Sequence, residues 1–430
     1  GGTDVTASRC RKMGTEIHVS VRTNTLIIGG GIIGVSIASS LTDRDVMIID
    51  SGEPRFGTSI GNAGHVVVSH AQPFAAPGMI AMGAKSLLHA DGGFAFSTHL
   101  SLQAASWIAS FMRNCTKGNV EKFTPGILSL LRTSAELIHS SGVTTTSTPT
   151  WEVFTSHRAI VQARVESEHL SHLGIRSLLI NRSEALEQEP SLTPKVKAVV
   201  ALGEDFGLDP RELWQRLRAT NPDLVFHSHE LATAIAPSKG RYLVTTTSGM
   251  QITAENIVIA AGSWSREVGA LLGIKVPIIA AKGYSVTVPM RKGTNSLHPM
   301  IFADEKTATD PLGDHLRMSA RFELTHPNDR SIKEKRIRQL YERAATVLNL
   351  PLIPTDLAEL SPWTGLRPAS ADGAPYIGPV PDLPGVYLAT GHGLIGTALS
   401  LGTADLISRY IGHQAVTPAE LALSPRRFRH

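Results

Sequence analysis

The sequence predicts an α/β fold: a Rossmann-like dinucleotide-binding domain, assembled from separate stretches of chain, with an antiparallel-sheet domain inserted between its pieces. Three stretches predict it. "TLIIGGGIIGVSIASSL" (25–41) reads as strand, glycine turn and helix, and "DVMIID" (45–50) reads as a second apolar strand ending in an acid. From Ile278 to Leu324 the pattern changes to alternating strands, "IIAAKGYSVTVP", "HPMIFADEKTAT" and "HLRMSARFEL". A length of 430 residues exceeds one ordinary core, which agrees with two domains.

Taken in order, the first twenty or so residues are polar and read as a tail, without the apolar core of a secretory signal. Leu26 to Ile28 form a short buried strand. Gly29, Gly31 and Gly34 then fit G-x-G-x-x-G, supplying a tight turn, room for a pyrophosphate and close helix–strand contact. The helix start offers free N–H groups and the positive end of its dipole to phosphates. Asp50 closes the second strand twenty-one residues after Gly29, where a carboxylate accepts hydrogen bonds from both ribose hydroxyls. NAD and FAD fit this unit equally. The apolar run from Leu26 to Leu41 is too short, and too rich in glycine at its centre, to span a membrane.

"SIGNAGHVVV" (59–68) follows, nearly all small residues, and backbone this bare implies that something approaches it closely. "GTSIG" (57–61) matches a serine-hydrolase elbow, but a Pro- and Gly-bearing loop precedes it where that motif needs a strand. A mostly helical region runs on to about Gly142, with Trp107, Phe111 and Met112 as a core face. Then come a strand near "WEVFT", a helix from Ala159 to about Leu173, and a helix capped by Asp209 with Pro210 at its first position. A hairpin turning at Ser248-Gly249 leads into a buried strand, Ile257 to Ala260. That strand stops at the small residues Ala261, Gly262 and Ser263, as at the ligand edge of a parallel sheet. "GHGLIG" (391–396) repeats the glycine pattern between a strand and a helix. No second acid-bearing strand follows, so it is not a second dinucleotide unit. Its exposed N–H groups suit developing negative charge instead.

The net charge of +4 is scattered. The densest basic run, "RSIKEKRIRQLYERA" from Arg330, has acids mixed in and places Ile332, Leu340 and Ala344 at helical spacings. It reads as a solvated helix face before a membrane-resting one, and nothing suits nucleic acid. Two cysteines, Cys10 and Cys115, exclude a disulfide framework. His169 with His172 and His227 with His229 lack a nearby carboxylate or thiol, so no metal site is expected.

With these motifs in place, the chain resembles the flavin-dependent amino-acid oxidase and dehydrogenase superfamily. The likeness is greatest to D-amino-acid dehydrogenases of the small-subunit type, with glycine oxidases nearby. It rests on "IIGGGIIGVSIA", "VMIID", "GNAGH", "AQPFAAPG", "ENIVIAAGSWS", "AAKGYSVTVP", "WTGLRPASADGAPYIGP" and "YLATGHGLIGTALSLGTADLI", and covers about Thr25 to Phe428. It implies a discontinuous FAD-binding domain (23–72, 207–275 and 361–425), a substrate domain (73–206 and 276–360) and a tail (1–22). It implies FAD, without a covalent bond because neither cysteine lies in a flavin motif. Gly29, Gly31 and Gly34 would hold the pyrophosphate, and Asp50 with Ser51 the adenosine ribose. Ala232 and Gly262 would close over the adenine half. Gly61, Asn62, Ala63, Gly64 and His65 would run along the isoalloxazine ring, with Gly391, Gly393, Leu394, Ile395, Gly396 and Thr397 at its pyrimidine side.

The same likeness makes Arg367, in Gly365-Leu366-Arg367-Pro368, the anchor for a substrate carboxylate, with Tyr284 as a second contact or pocket wall and His65 near the pocket. The implied reaction is hydride transfer from an amino-acid Cα to flavin N5, with D-amino or cyclic imino acids as substrates and a quinone or other carrier taking the electrons. A glycine- or sarcosine-type oxidase using oxygen, or an FAD subunit of a larger dehydrogenase, are the alternatives. The protein is expected in the cytoplasm, with room for peripheral contact at the inner membrane face. Two departures stand out. Thr397 and Ala398 replace a usual aromatic–Thr pair, and Arg321 replaces an uncharged residue, where it is expected to face solvent before adding a positive charge to the pocket.

Overall fold

In the computed structural model of the chain, the described residues are 20–52, 57–88, 94–96, 101–290, 298–351 and 353–427. Cys10 and residues 1–19 of the expected tail lie outside them. The first strand, Ser20–Ile28, begins inside the stretch expected as tail. Leu26 and Ile27 are fully buried, as are Ile257, Val258 and Ile259 of the strand Gln251–Ile259 beside it. Burial on both faces is the environment of a parallel sheet with helices packed on it. The strands run in the order Ala232–Ser238, Arg241–Thr246, Gln251–Ile259, Ser20–Ile28, Val46–Asp50 and Val225–Ser228. The last four are parallel, the first three form an antiparallel meander, and Val386–Thr390 adds in parallel on Gln251–Ile259. The helix Ile32–Ser40 packs against the helix Ser400–Ile411, and that helix in turn against Lys117–Ser140.

The second sheet runs Trp363–Ser370, Ile278–Pro289, His315–Thr325, Thr307–Leu312, Met300–Phe302, Thr150–Phe154, Ala198–Leu202, Ser177–Asn181. Its long strands pair antiparallel, while Met300–Phe302 meets Thr150–Phe154 in parallel. Trp363–Ser370, expected among the dinucleotide-binding pieces, is hydrogen-bonded along its length to Ile278–Pro289 and so belongs to this sheet. The helix Glu334–Val347 covers the sheet through Ile337, Leu340, Tyr341 and Ala344. Ile332 precedes that helix and is 43% exposed, so it takes no part in the packed face. Met112 is 48% exposed and likewise drops out of the core face, in which Trp107 stacks on Phe111.

The helix Ala159–His172 and the Asp209 cap, with Pro210 at the first position, appear where the sequence predicts them. "GTSIG" forms a short 3-10 turn, Thr58–Gly61, with no helix after it. Among the described residues no helix is long and apolar enough to cross a membrane.

Candidate cofactor and substrate site

A long cavity opens at the carboxyl edge of the parallel sheet and reaches the antiparallel one. At its first end lie Gly29 to Ile33, Asp50, Ser51 and Ala232. The three glycines do separate jobs. Gly29 turns at φ +114°, where a side chain would strike the Ala260 backbone, and Gly34 has no room for a Cβ beneath the Gly29 carbonyl. Gly31 has ordinary backbone angles and, among the described residues, nothing within 4 Å of a would-be Cβ. The described residues therefore do not themselves require glycine at 31, and its bareness leaves that space open to the cavity. Gly31 caps Ile32–Ser40 without any side-chain hydrogen bond, which leaves the first N–H groups of the helix for an anion. The Asp50 carboxylate is aimed by the Gly30 N–H at 2.6 Å and the Gly52 N–H at 2.9 Å. Trp214 Nε1 donates to the Gly30 carbonyl at 3.0 Å and steadies the glycine turn.

The second end joins the two sheets. Thr58 Oγ1 and Ser263 Oγ both donate to the Leu366 carbonyl, at 3.1 and 3.0 Å, tying the Gly-Leu-Arg-Pro strand to the ligand edge. Arg367 lines the cavity there. Its Nη1 donates to the Arg321 carbonyl at 2.6 Å, and among the described residues no carboxylate pairs with it. Burial pushes its pKa down to about 10, the direction that any incoming carboxylate would reverse. On the neighbouring strand Tyr284 is 1% exposed, and its hydroxyl has no hydrogen-bond partner among the described residues. The pairing of Ala281 with Arg367 and of Tyr284 with Thr364 puts the Tyr284 ring on the other face of the sheet, among Val286, Ile337 and Leu340. The donor at the cavity is thus the Arg367 guanidinium, whose fork matches a carboxylate. His392 also lines the cavity, with Nε2 3.0 Å from Thr403 Oγ1; burial pushes it down to about 3, so its ring is neutral.

Other expected residues divide. Gly61, Asn62, Gly262, Gly393, Gly396 and Thr397 line the cavity, and the Thr397 hydroxyl is buried without a partner among the described residues. Ala63, Gly64, His65, Gly391, Leu394 and Ile395 do not line it. Gly64 turns at φ +96° against the Leu208 carbonyl, and His65 pairs with Gly207 in a small two-stranded sheet. The His65 Nε2 lies 2.9 Å from the Thr309 carbonyl, and burial pushes its pKa down to about 4. The pocket role expected of His65 is thereby corrected: it is a neutral packing residue behind the wall.

Gly61 also has a different reason for its bareness. The Trp363 indole lies where its Cβ would go, and the same ring excludes a Cβ at Gly365. Arg321 is only 7% exposed and its Nη2 donates to Gln339 Oε1, which corrects the expectation that it faces solvent. Cys115 bonds to the Phe111 carbonyl, away from the cavity.

Sequence reasoning missed Arg317. From the antiparallel sheet its Nη1 donates to the carbonyls of Ile60 and Asn62, at 2.9 and 3.0 Å, clamping the cavity wall on both sides of Gly61. Arg317→Met is expected to lower unfolding stability by about 2 kcal/mol or more, because buried carbonyls lose their donor. A denaturant midpoint that does not move would show that water replaces the clamp.

The fold and this cavity are those of an α/β oxidoreductase of the flavoprotein type: a glycine turn at a helix start shares one cavity with the buried Arg367 guanidinium. A model of the FAD dependent oxidoreductase family matches residues 24–410. The chain belongs to that family, and FAD is its cofactor. It is similar to a D-amino acid dehydrogenase of Rhizobium johnstonii, 28% identical over 90% of this chain and 95% of the relative. It is also similar to one of Vibrio cholerae, 26% identical over 94% and 98%. Its fold is similar to glycine oxidase from Geobacillus kaustophilus, with a TM-score of 0.72 and 20% identity over 95% and 100% of the two chains. L-proline dehydrogenase from P. horikoshii gives 0.71 and 17% over 95% and 98%.

Proposed function

We propose that the chain oxidises D-amino acids, or cyclic imino acids, to 2-oxo acids and passes the electrons to a quinone or another carrier. The observation that carries this is Arg367: a guanidinium with no carboxylate partner among the described residues, lining the same cavity as the glycine turn. The relatives named D-amino acid dehydrogenase support the D series. Ile32 and Ile33 N–H groups and the bare Gly31 would hold the FAD pyrophosphate, Asp50 the ribose, and Gly396 and Thr397 the ring edge. Held without a covalent bond, FAD supplies a two-electron acceptor for the Cα hydride.

The protein's own part is positioning. Arg367 takes the carboxylate through two N–H groups, and Tyr284 backs the pocket wall from the other face of the sheet. The amine reacts neutral, so that its lone pair forms the C=N bond as the hydride leaves; water then releases the oxo acid and, from a primary amine, ammonia. No side chain is assigned as general base: burial holds the His392 pKa down to about 3, which makes it a weak base, and its Nε2 is bonded to Thr403. A quinone acceptor would be met by peripheral contact with the inner membrane face, because no described helix spans a bilayer.

The test is the anaerobic visible spectrum of the purified protein before and after a mixture of D-amino acids that includes D-proline. Bleaching that a quinone analogue reverses faster than air supports the proposal. A colour that yields to glycine or sarcosine alone, with rapid return in air, overturns it in favour of a small-amine oxidase. Colour that persists with every amine points to a subunit that needs partner chains. Tyr284→Phe is expected to leave KM and kcat nearly unchanged, since its hydroxyl lies on the sheet face away from Arg367. A KM raised about tenfold, the equivalent of the ~1.5 kcal/mol that a hydrogen bond to a charged group contributes, would place the hydroxyl on the carboxylate instead.

A further inference from the structure

The strand His315–Thr325 carries an irregularity opposite the anchor. Lys282 pairs with Glu323 and Tyr284 with Ala320, so Arg321 and Phe322 together face the single residue Gly283. This is a bulge, and Arg321 within it adopts φ 77°, a left-handed conformation that an arginine rarely takes. The turn aims the Arg321 carbonyl at Arg367, whose Nη1 donates to it at 2.6 Å. On the other strand, Gly283 leaves space that the Arg367 guanidinium fills: a Cβ there would overlap Nη1, Cζ and Nη2. The Arg321 side chain is held from behind by Gln339 on the helix Glu334–Val347.

We propose that the Arg321 bulge and Gly283 are positioning elements for the substrate carboxylate: together they fix the plane of the Arg367 guanidinium and leave its Nε and Nη2 edge for the ligand. No sequence motif marks the bulge; a strained backbone residue beside a site is a common device for aiming a group. The inference rests on Arg367 being the carboxylate anchor.

The backbone of Arg321 acts here, so its replacements should rank by backbone preference and not by loss of side chain. Arg321→Gly adopts the left-handed conformation freely and keeps the carbonyl in place. Arg321→Val disfavours that conformation and swings the carbonyl away. The readouts are flavin content, KM and kcat for the best D-amino acid, and the Kd for pyruvate from the shift it causes in the flavin spectrum. Expected are near-normal KM and Kd for Arg321→Gly, and both raised tenfold or more in Arg321→Val and in Gly283→Ala, with full flavin content in all three.

If Arg321→Gly is impaired as much as Arg321→Val, the bond to Gln339 matters instead and the proposal fails. It fails equally if Arg321→Val binds pyruvate normally. Should Arg321→Val not fold, Gly283→Ala decides alone, a normal Kd there overturning the cradle. Arg367→Lys separates the two readings: if it leaves the Kd for pyruvate unchanged, the anchor reading itself is wrong. If it raises the Kd while Gly283→Ala does not, only the positioning proposal is lost.

Discussion

Arg367→Met is expected to lower kcat/KM for amino-acid substrates by about 10³-fold, most of it as a raised KM, while FAD remains bound at full content. Truncating one partner of a desolvated, hydrogen-bonded charge pair costs about 3–5 kcal/mol, and each 1.4 kcal/mol is tenfold in affinity. The remainder comes from kcat, since a carboxylate that is not gripped at two points leaves the Cα free to turn. Arg367→Lys should recover little, because an ammonium is a point charge without the planar fork that meets two oxygens. Flavin content should hold because the glycine cradle and Asp50 stand at the opposite end of the cavity. Stability should hold, because the donor lost to the Arg321 carbonyl is offset by removal of a buried charge. Burial pushes the free guanidinium's pKa down to about 10, and methionine removes a charge that nothing in the described protein neutralises. Steady-state kinetics together with a thermal melt checks both signs; an unchanged KM would remove Arg367 from the substrate site.

The two ends of the site are unequally legible in the sequence. The glycine fingerprint and Asp50 can be read directly because their geometry is local: strand, turn and helix are contiguous, and Asp50 ends the neighbouring strand. Arg367 is reached only through family likeness, since its lack of a partner depends on where two sheets meet. The bareness of Gly61 does signal close approach, but the neighbour is the Trp363 ring, which comes from the far end of the chain. His65 misleads because nearness in sequence to Asn62 says nothing of direction. Its pairing with Gly207 turns the chain away from the cavity within three residues. Arg317 and the Arg321 carbonyl leave no signal, because one acts on backbone atoms and the other is a backbone atom.

The glycines at 31 and 34 allow the cofactor's demand to be separated from the fold's. Gly31→Asn is expected to give a well-folded, colourless protein. Its backbone angles, φ −67° and ψ −175°, suit any residue, and no atom of the described residues lies within 4 Å of the new Cβ. Asn is moreover a strong helix N-cap, so its side chain would accept from the very N–H groups that the pyrophosphate needs. Losing two charge-assisted bonds of ~1.5–3 kcal/mol each should weaken FAD binding by about 10²–10⁴-fold, while the apoprotein keeps its melting temperature or gains slightly. Gly34→Ala should do the reverse: its Cβ would collide with the Gly29 carbonyl, so helix and strand must part and the apoprotein itself loses stability. Fluorescence titration with FAD and thermal melts of both apoproteins check the contrast. A yellow Gly31→Asn protein with normal affinity would mean that the open space at the helix start is not where the pyrophosphate lies, and the assignment of the cradle would fail with it.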